Sequence, residues 1–149
     1  MSMATFKAVS KMKPEGLAVE SESRGFRVVM DEPENLGGTN TGMNPVEALL
    51  CALGSCQTIV AVAFAKANHV NLQDFKVEVE GDLDTGGFLH GKPGVRMGFS
   101  EVRVKMYFKT DSPPEKVEAF QKFIESRCPV GDVVLNGTKV VSMPAVIEN

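Results

Sequence analysis

Three residues of the chain can do nucleophilic or redox chemistry through sulfur: Cys51, Cys56 and Cys128. Two of them stand in CALGSCQTIV (51–60), inside a stretch that carries no charge from Ala48 to Ala65 yet holds Gly54, Ser55, Gln57 and Thr58. A thiolate is a nucleophile and a metal ligand, and two thiols that meet can cycle through a disulfide. The two histidines and three cysteines show no zinc-ligand spacing, so no metal or cofactor is expected. His69 follows the apolar stretch and reads as part of a helix C-terminal turn, and His90 lies in a Gly-rich loop and reads as exposed. GGTNTG (37–42) can form a backbone anion nest, but it lacks the lysine and spacing of a phosphate loop, and turn chemistry is the stronger reading.

The elements that must position these thiols come next. With 149 residues, 43% apolar and 23% charged, the chain is long enough for one globular domain, 1–149, with a real core. A net charge of −3 gives no case for nucleic acid or an anionic membrane surface as partner. An odd number of cysteines, with no hydrophobic signal core in MSMATFKAVSKMK, points to a reducing, cytoplasmic setting. Strand character appears at 4–12, 16–23 and 25–32, with Phe26, Val28 and Met30 on one face, followed by a loop over 35–44.

A helix is expected from Pro45 to about Lys66–Asn68, with Asn44 as cap, Pro45 at the first position and Glu47 completing a capping box. The stretch is just long enough to span a membrane. Glu47 and Lys66 close it, however, and polar residues fall in its middle, so a helix buried in a protein core is preferred and no membrane partner is expected. Strands follow at 75–83 and 100–108 around a loop at 85–94. A second helix spans 111–128, capped by Ser112 with Glu115 closing a second capping box; 129–137 is long enough for a helical turn, and 138–148 reads as a last strand. The fold class is α+β, in the order βββ-α-ββ-α-β.

On the first helix, at about 100° per residue, Cys51 lies about 140° round from Cys56, so the two do not point at one spot. On the second, Val117, Phe120, Phe123 and Ile124 form an apolar stripe that Cys128 continues at the helix end, before Pro129. Cys56 and Cys128 could therefore meet as a redox pair. They could equally be two small buried hydrophobes, as free cysteines often are. Cys51 reads as packing.

GGTNTGMNPVEALLCALGSC (37–56), followed by SRCPVGDVVLNGTKV (126–140), resembles the OsmC/Ohr family. The shared features are an Asn-Pro helix start, a cysteine eleven residues after that proline (Pro45 to Cys56) and a distant Cys-Pro-Val (128–130). The element order matches as well, over nearly the whole chain.

The resemblance implies an antiparallel sheet around a long buried central helix, in an intertwined homodimer. It also implies reduction of organic hydroperoxides. Cys56 would be the peroxidatic cysteine and Cys128 the resolving one, the two closing a disulfide that an external small-molecule or protein dithiol reduces. In the family an arginine lies over the reactive cysteine, held by a glutamate early in the helix. The better-known peroxidases carry that glutamate directly after the proline; here Val46 stands there and Glu47 follows, so Glu47 either holds the arginine or serves only the capping box. Arg24 is the expected arginine, provided the strand runs through Gly25 and puts it on the Phe26 face; Arg27 then points the other way. The rival reading is a non-enzymatic module of the same fold that binds an apolar or acyl ligand or senses redox state. A third is a protein with inert, buried thiols.

Overall fold

The computed structural model describes residues 2–149. They fall into two compact units, one ending at Cys51 and the other spanning Ala52–Asn149.

The first unit is an antiparallel meander of β1 (Val9–Met12), β2 (Val19–Ser23) and β3 (Phe26–Met30), in that order. The β2–β3 register pairs Ser23 with Phe26 and leaves a two-residue turn at Arg24 and Gly25, both at positive φ (54° and 87°). A turn with two left-handed residues matches the twist of the flanking strands, which is why it recurs in tight hairpins. The strand therefore does not run through Gly25, and Arg24 belongs to the turn.

After β3, Asp31 organises the loop. Its carboxylate accepts from the Glu32, Thr39 and Thr41 amides and from both threonine hydroxyls, at 2.6–3.2 Å. The Thr39 hydroxyl leads a set of hydrogen bonds that holds this carboxyl far below its ordinary range, against the opposing effect of burial. GGTNTG thus wraps an anion of its own chain. Gly38 is obligatory there, because a β-carbon would collide with the Glu32 carbonyl oxygen.

Helix α1 (Pro45–Phe64) begins with the expected capping box. The Glu47 amide donates to Asn44 Oδ1 at 2.9 Å, and the Asn44 amide donates back to Glu47 Oε2 at 2.8 Å. The helix is not buried all round: Leu53, Gln57, Val60 and Ala61 face inward, while Ile59 is 68% exposed. By length and composition alone α1 could cross a membrane. It ends with Val70 N–H donating to the Ala65 carbonyl and with His69 at φ 56°, a left-handed residue in the turn beyond the helix.

In the second unit β4 (Leu72–Asp82) and β5 (Glu101–Thr110) form one long antiparallel hairpin, Val79 opposite Val104. The two sheets are separate in strand order, where a single sheet was expected. The 85–94 connection holds a short helix, α2 (Thr85–His90), capped by Asp84 accepting from the Gly86 amide at 2.8 Å.

Helix α3 (Pro114–Arg127) opens on its prolines without a side-chain cap; Ser112, expected to cap it, accepts from the Asn71 amide instead. Its inner residues Phe120 and Ile124 are fully buried in one cluster with Val60, Ala61, Ala65 and Val70, edged by Phe75, Phe108 and Phe123. Truncating Phe120 to Ala would cost about 3–5 kcal/mol.

Helix α4 (Pro129–Asn136) follows at once. The strand expected at 138–148 does not form. A strand exists only by pairing with another, and neither sheet of the chain takes this segment up. Its apolar residues stand in solvent, Ile147 at 91% exposure.

Candidate active site

Cys128 is the residue between α3 and α4, and both helices fix it. One helical turn beyond Ile124 it continues the buried stripe of α3, and it is 2% exposed. Pro129 occupies the first position of α4, which makes Cys128 the cap, and its sulfur accepts from the Gly131 amide at 3.2 Å. The space is tight: a β-carbon on Gly131 would lie 3.3 Å from Cys128 Sγ and 3.7 Å from Leu53 Cδ1. The last position of the CPVG motif therefore lies between Cys128 and the inward face of α1.

Cys56, half-buried on α1, is the other member. Burial first, and then a hydrogen-bonding interaction with the Cys56 thiol, push the Cys128 thiol up to about 11, the Gly131 amide pulling the other way. Both sulfurs are free thiols, and Cys128 keeps its proton at neutral pH. Cys51, across the helix, is exposed.

The remaining candidates lie outside this pair. Arg24 is exposed in the β2–β3 turn, its guanidinium 5.2 Å from the centre of the Phe26 ring. Arg27 is engaged by Glu22 at 2.9 Å and Glu20 at 3.8 Å. Glu47 is exposed and bound into its capping box. His69 and His90 are exposed. Among the described residues no three His, Cys, Asp or Glu side chains gather as a metal site.

Two residues were not singled out by the sequence reading. Asp31 carries the loop before α1; its signal was an acid followed by a Gly- and Thr-rich loop with donors to spare. Gln57, next to Cys56, is 5% exposed, and its Oε1 has no hydrogen-bond partner. Its signal was an amide in the middle of an apolar helix face.

Chemically, two thiols within hydrogen-bonding reach of each other are suited to a dithiol–disulfide cycle. A long apolar helix beside a Cys-Pro-Val cap defines the class by its fold, and the comparisons name it. The OsmC-like protein family matches residues 38–142, and the chain belongs to that family. A protein from Mycoplasma genitalium named hydroperoxide reductase is 24% identical over 122 residues, covering 81% of this chain and 80% of that protein.

Among solved structures, an OsmC-like protein from Mycoplasma pneumoniae superposes with a TM-score of 0.78 at 19% identity, over 89% of each chain. An organic hydroperoxide resistance protein OsmC from Legionella pneumophila gives 0.69 at 18% identity, over 92% of this chain and 93% of the other. The α+β fold with antiparallel sheets and one long helix is thus that of the family.

Proposed function

We propose that the protein is a thiol-dependent peroxidase that reduces organic hydroperoxides as a defence against oxidative stress. The observation that carries this reading is that Cys56 on α1 lies within hydrogen-bonding reach of Cys128, the buried cap of α4. The Cys56 thiolate attacks the terminal oxygen of ROOH. The S–O bond forms, the O–O bond breaks and RO⁻ leaves to be protonated as the alcohol. Sulfur is oxidised to the sulfenic acid. Cys128 sulfur then attacks Cys56 sulfur, and the sulfenic hydroxyl departs as water with the Cys128 proton. An external dithiol reduces the resulting disulfide by exchange.

A thiolate in a partly buried site needs a cation, and Arg24 is the proposed source. Among the described residues it pairs with no carboxylate, whereas Arg27 is held by two. Glu47 is proposed to act chiefly through the start of α1.

The working unit is proposed to be a homodimer. The exposed apolar face of α1 at Ile59 and Val62, and the unpaired segment holding Val140, Val141, Val146 and Ile147, are surfaces that a second copy would cover.

The reading is tested by hydroperoxide consumption with a dithiol reductant. Turnover that is lost in Cys56→Ser and that prefers an organic hydroperoxide to hydrogen peroxide supports it. A Cys56 that alkylates quickly but never oxidises favours the ligand-binding alternative.

A further inference from the structure

Gln57 Oε1 is the buried side-chain polar atom left without a partner among the described residues. A buried acceptor with no donor is costly to leave unmade, so its persistence calls for a donor that arrives at some stage of the cycle.

Its surroundings are set by its neighbours along α1. Leu53 approaches Gly131, which packs beside Cys128 at the start of α4, and Val60 and Ala61 share a cluster with Ile124 and Phe120 of α3. Gln57 stands between these two groups on the same inward face, so it faces the turn from Ile124 to Cys128. Around the helix, Cys56 lies about 60° to one side of the Leu53 direction and Gln57 about 40° to the other. The two side chains thus flank the direction in which the Cys128 end of α3 lies.

We infer that Gln57 is a positioning residue for oxidised Cys56: its carboxamide oxygen accepts the hydrogen bond of the Cys56 sulfenic hydroxyl. This rests on the peroxidase reading above. In the thiol state nothing donates to Oε1. Oxidation adds an O–H one bond beyond Sγ, on the residue next to Gln57 in sequence, whose Oε1 is already buried and unpaired.

The hydrogen bond has two consequences. It fixes the sulfenic oxygen, leaving the Cys56 sulfur open to Cys128. It also keeps the proton on that oxygen, the form that leaves as water. A sulfenic acid that loses this proton becomes a sulfenate, which attacks a second ROOH to give the sulfinate and another alcohol. Gln57 therefore steers the intermediate towards the disulfide and away from irreversible oxidation.

The test uses the full chain with Gln57→Met, close to Gln in volume, and Gln57→Leu. Two quantities are measured: the rate at which Cys56 loses its thiol to cumene hydroperoxide, and the ratio of Cys56 sulfinic acid to Cys56–Cys128 disulfide by mass spectrometry as hydroperoxide rises. Loss of one neutral hydrogen bond should raise that ratio about ten-fold, with the first step changed less than about two-fold. A Gln57 that only packs would shift the melting temperature and leave the ratio alone.

The parent ratio in both variants overturns the inference and leaves the peroxidase reading standing. A parent that forms neither sulfenic acid nor disulfide overturns the peroxidase reading, and the inference with it.

Discussion

The Gly131 amide donates to Cys128 Sγ at 3.2 Å, so the sulfur that meets Cys56 is also the cap of α4. The start of a helix favours a thiolate. Burial opposes it and prevails, raising the Cys128 thiol from an ordinary 9.0 to about 11. Between these values the unfolded chain has released a proton that the folded chain keeps, so this thiol's contribution to stability is complete below pH 9 and is lost as pH rises to about 11. Cys128→Ala removes the cap and should cost about 1–2 kcal/mol at neutral pH. The gap between parent and variant should narrow from pH 9 to 11, which urea midpoints at pH 7, 9, 10 and 11 will read. A gap that is constant with pH would contradict the assignment of burial as the dominant effect.

Stoichiometric oxidation should separate the three cysteines. One equivalent of organic hydroperoxide on the reduced protein is expected to give an intrachain Cys56–Cys128 disulfide and a free Cys51, which is exposed and across the helix. Peptide mapping decides it. A disulfide containing Cys51, or a sulfinic Cys56 with Cys128 untouched in the parent, would reverse the roles proposed.

Asp31 offers a test with no link to sulfur. Asp31→Asn replaces a carboxylate oxygen by an amide that faces donors and should lower the melting temperature. Because the Asp31 carboxyl is held below its ordinary 3.8 in the fold, its stabilisation is present above that pH and is lost as pH falls beneath it. Parent and variant should therefore converge in acid. Melting curves at pH 7 and pH 3 that keep the same separation would show that the carboxylate is not what orders the loop.

What could be read from the sequence divides along physical lines. The α1 start was legible because a capping box is local: Asn44, Pro45 and Glu47 act within one turn. The Cys56–Cys128 meeting was legible as a possibility from the Phe120–Ile124–Cys128 stripe, since an apolar stripe has to be covered. The condition that would put Arg24 on the Phe26 face, a strand running through Gly25, fails because both residues adopt left-handed turn positions, and Arg is an unusual residue there. Helix α2 was hidden by Gly86 and Gly87, poor helix formers that Asp84 offsets by capping. Ser112 has a capping pattern, but a residue far away in sequence, Asn71, takes its hydroxyl. The 138–148 segment has strand composition without a strand to pair with inside the chain. Gln57 shows the limit most clearly, since an amide in an apolar helix does not reveal whether it is buried or solvated.

That unpaired segment leads to a prediction on assembly. The protein is expected to sediment as a dimer at micromolar concentration, because Ile59 and Val62 on α1 and the apolar residues from Val140 to Ile147 stand exposed and a second copy would cover them. Removal of residues 138–149 should shift the equilibrium towards monomer by about ten-fold or more, the equivalent of burying at least one fewer large side chain. Analytical ultracentrifugation of parent and truncated protein reads it directly. A stable monomeric parent would count against the homodimer and against any site shared between copies.

The activation of Cys56 is the step on which the proposed chemistry depends most, and Arg24, Arg27 and Glu47 divide it. Each pKa unit by which a thiolate is favoured requires about 1.4 kcal/mol of differential stabilisation, which a guanidinium near the sulfur can supply where water is excluded. Arg27 is held by Glu22 and Glu20, and its loss should disturb only the sheet surface. Arg24 has no such partner, and as the proposed activating cation its loss in Arg24→Ala is expected to slow peroxide reduction at neutral pH about ten-fold. Glu47→Ala removes one half of the capping box and should cost about 1 kcal/mol in stability with a smaller effect on the thiol. Glu47→Gln, which keeps an acceptor for the Asn44 amide, should recover the stability and isolate any effect of the charge. Thiolate absorbance against pH, measured with Cys51 and Cys128 replaced by serine, separates the four variants. An unchanged Cys56 titration in Arg24→Ala, with slow oxidation in the parent as well, would leave the thiol without an activating cation and make ligand binding the better account of the fold.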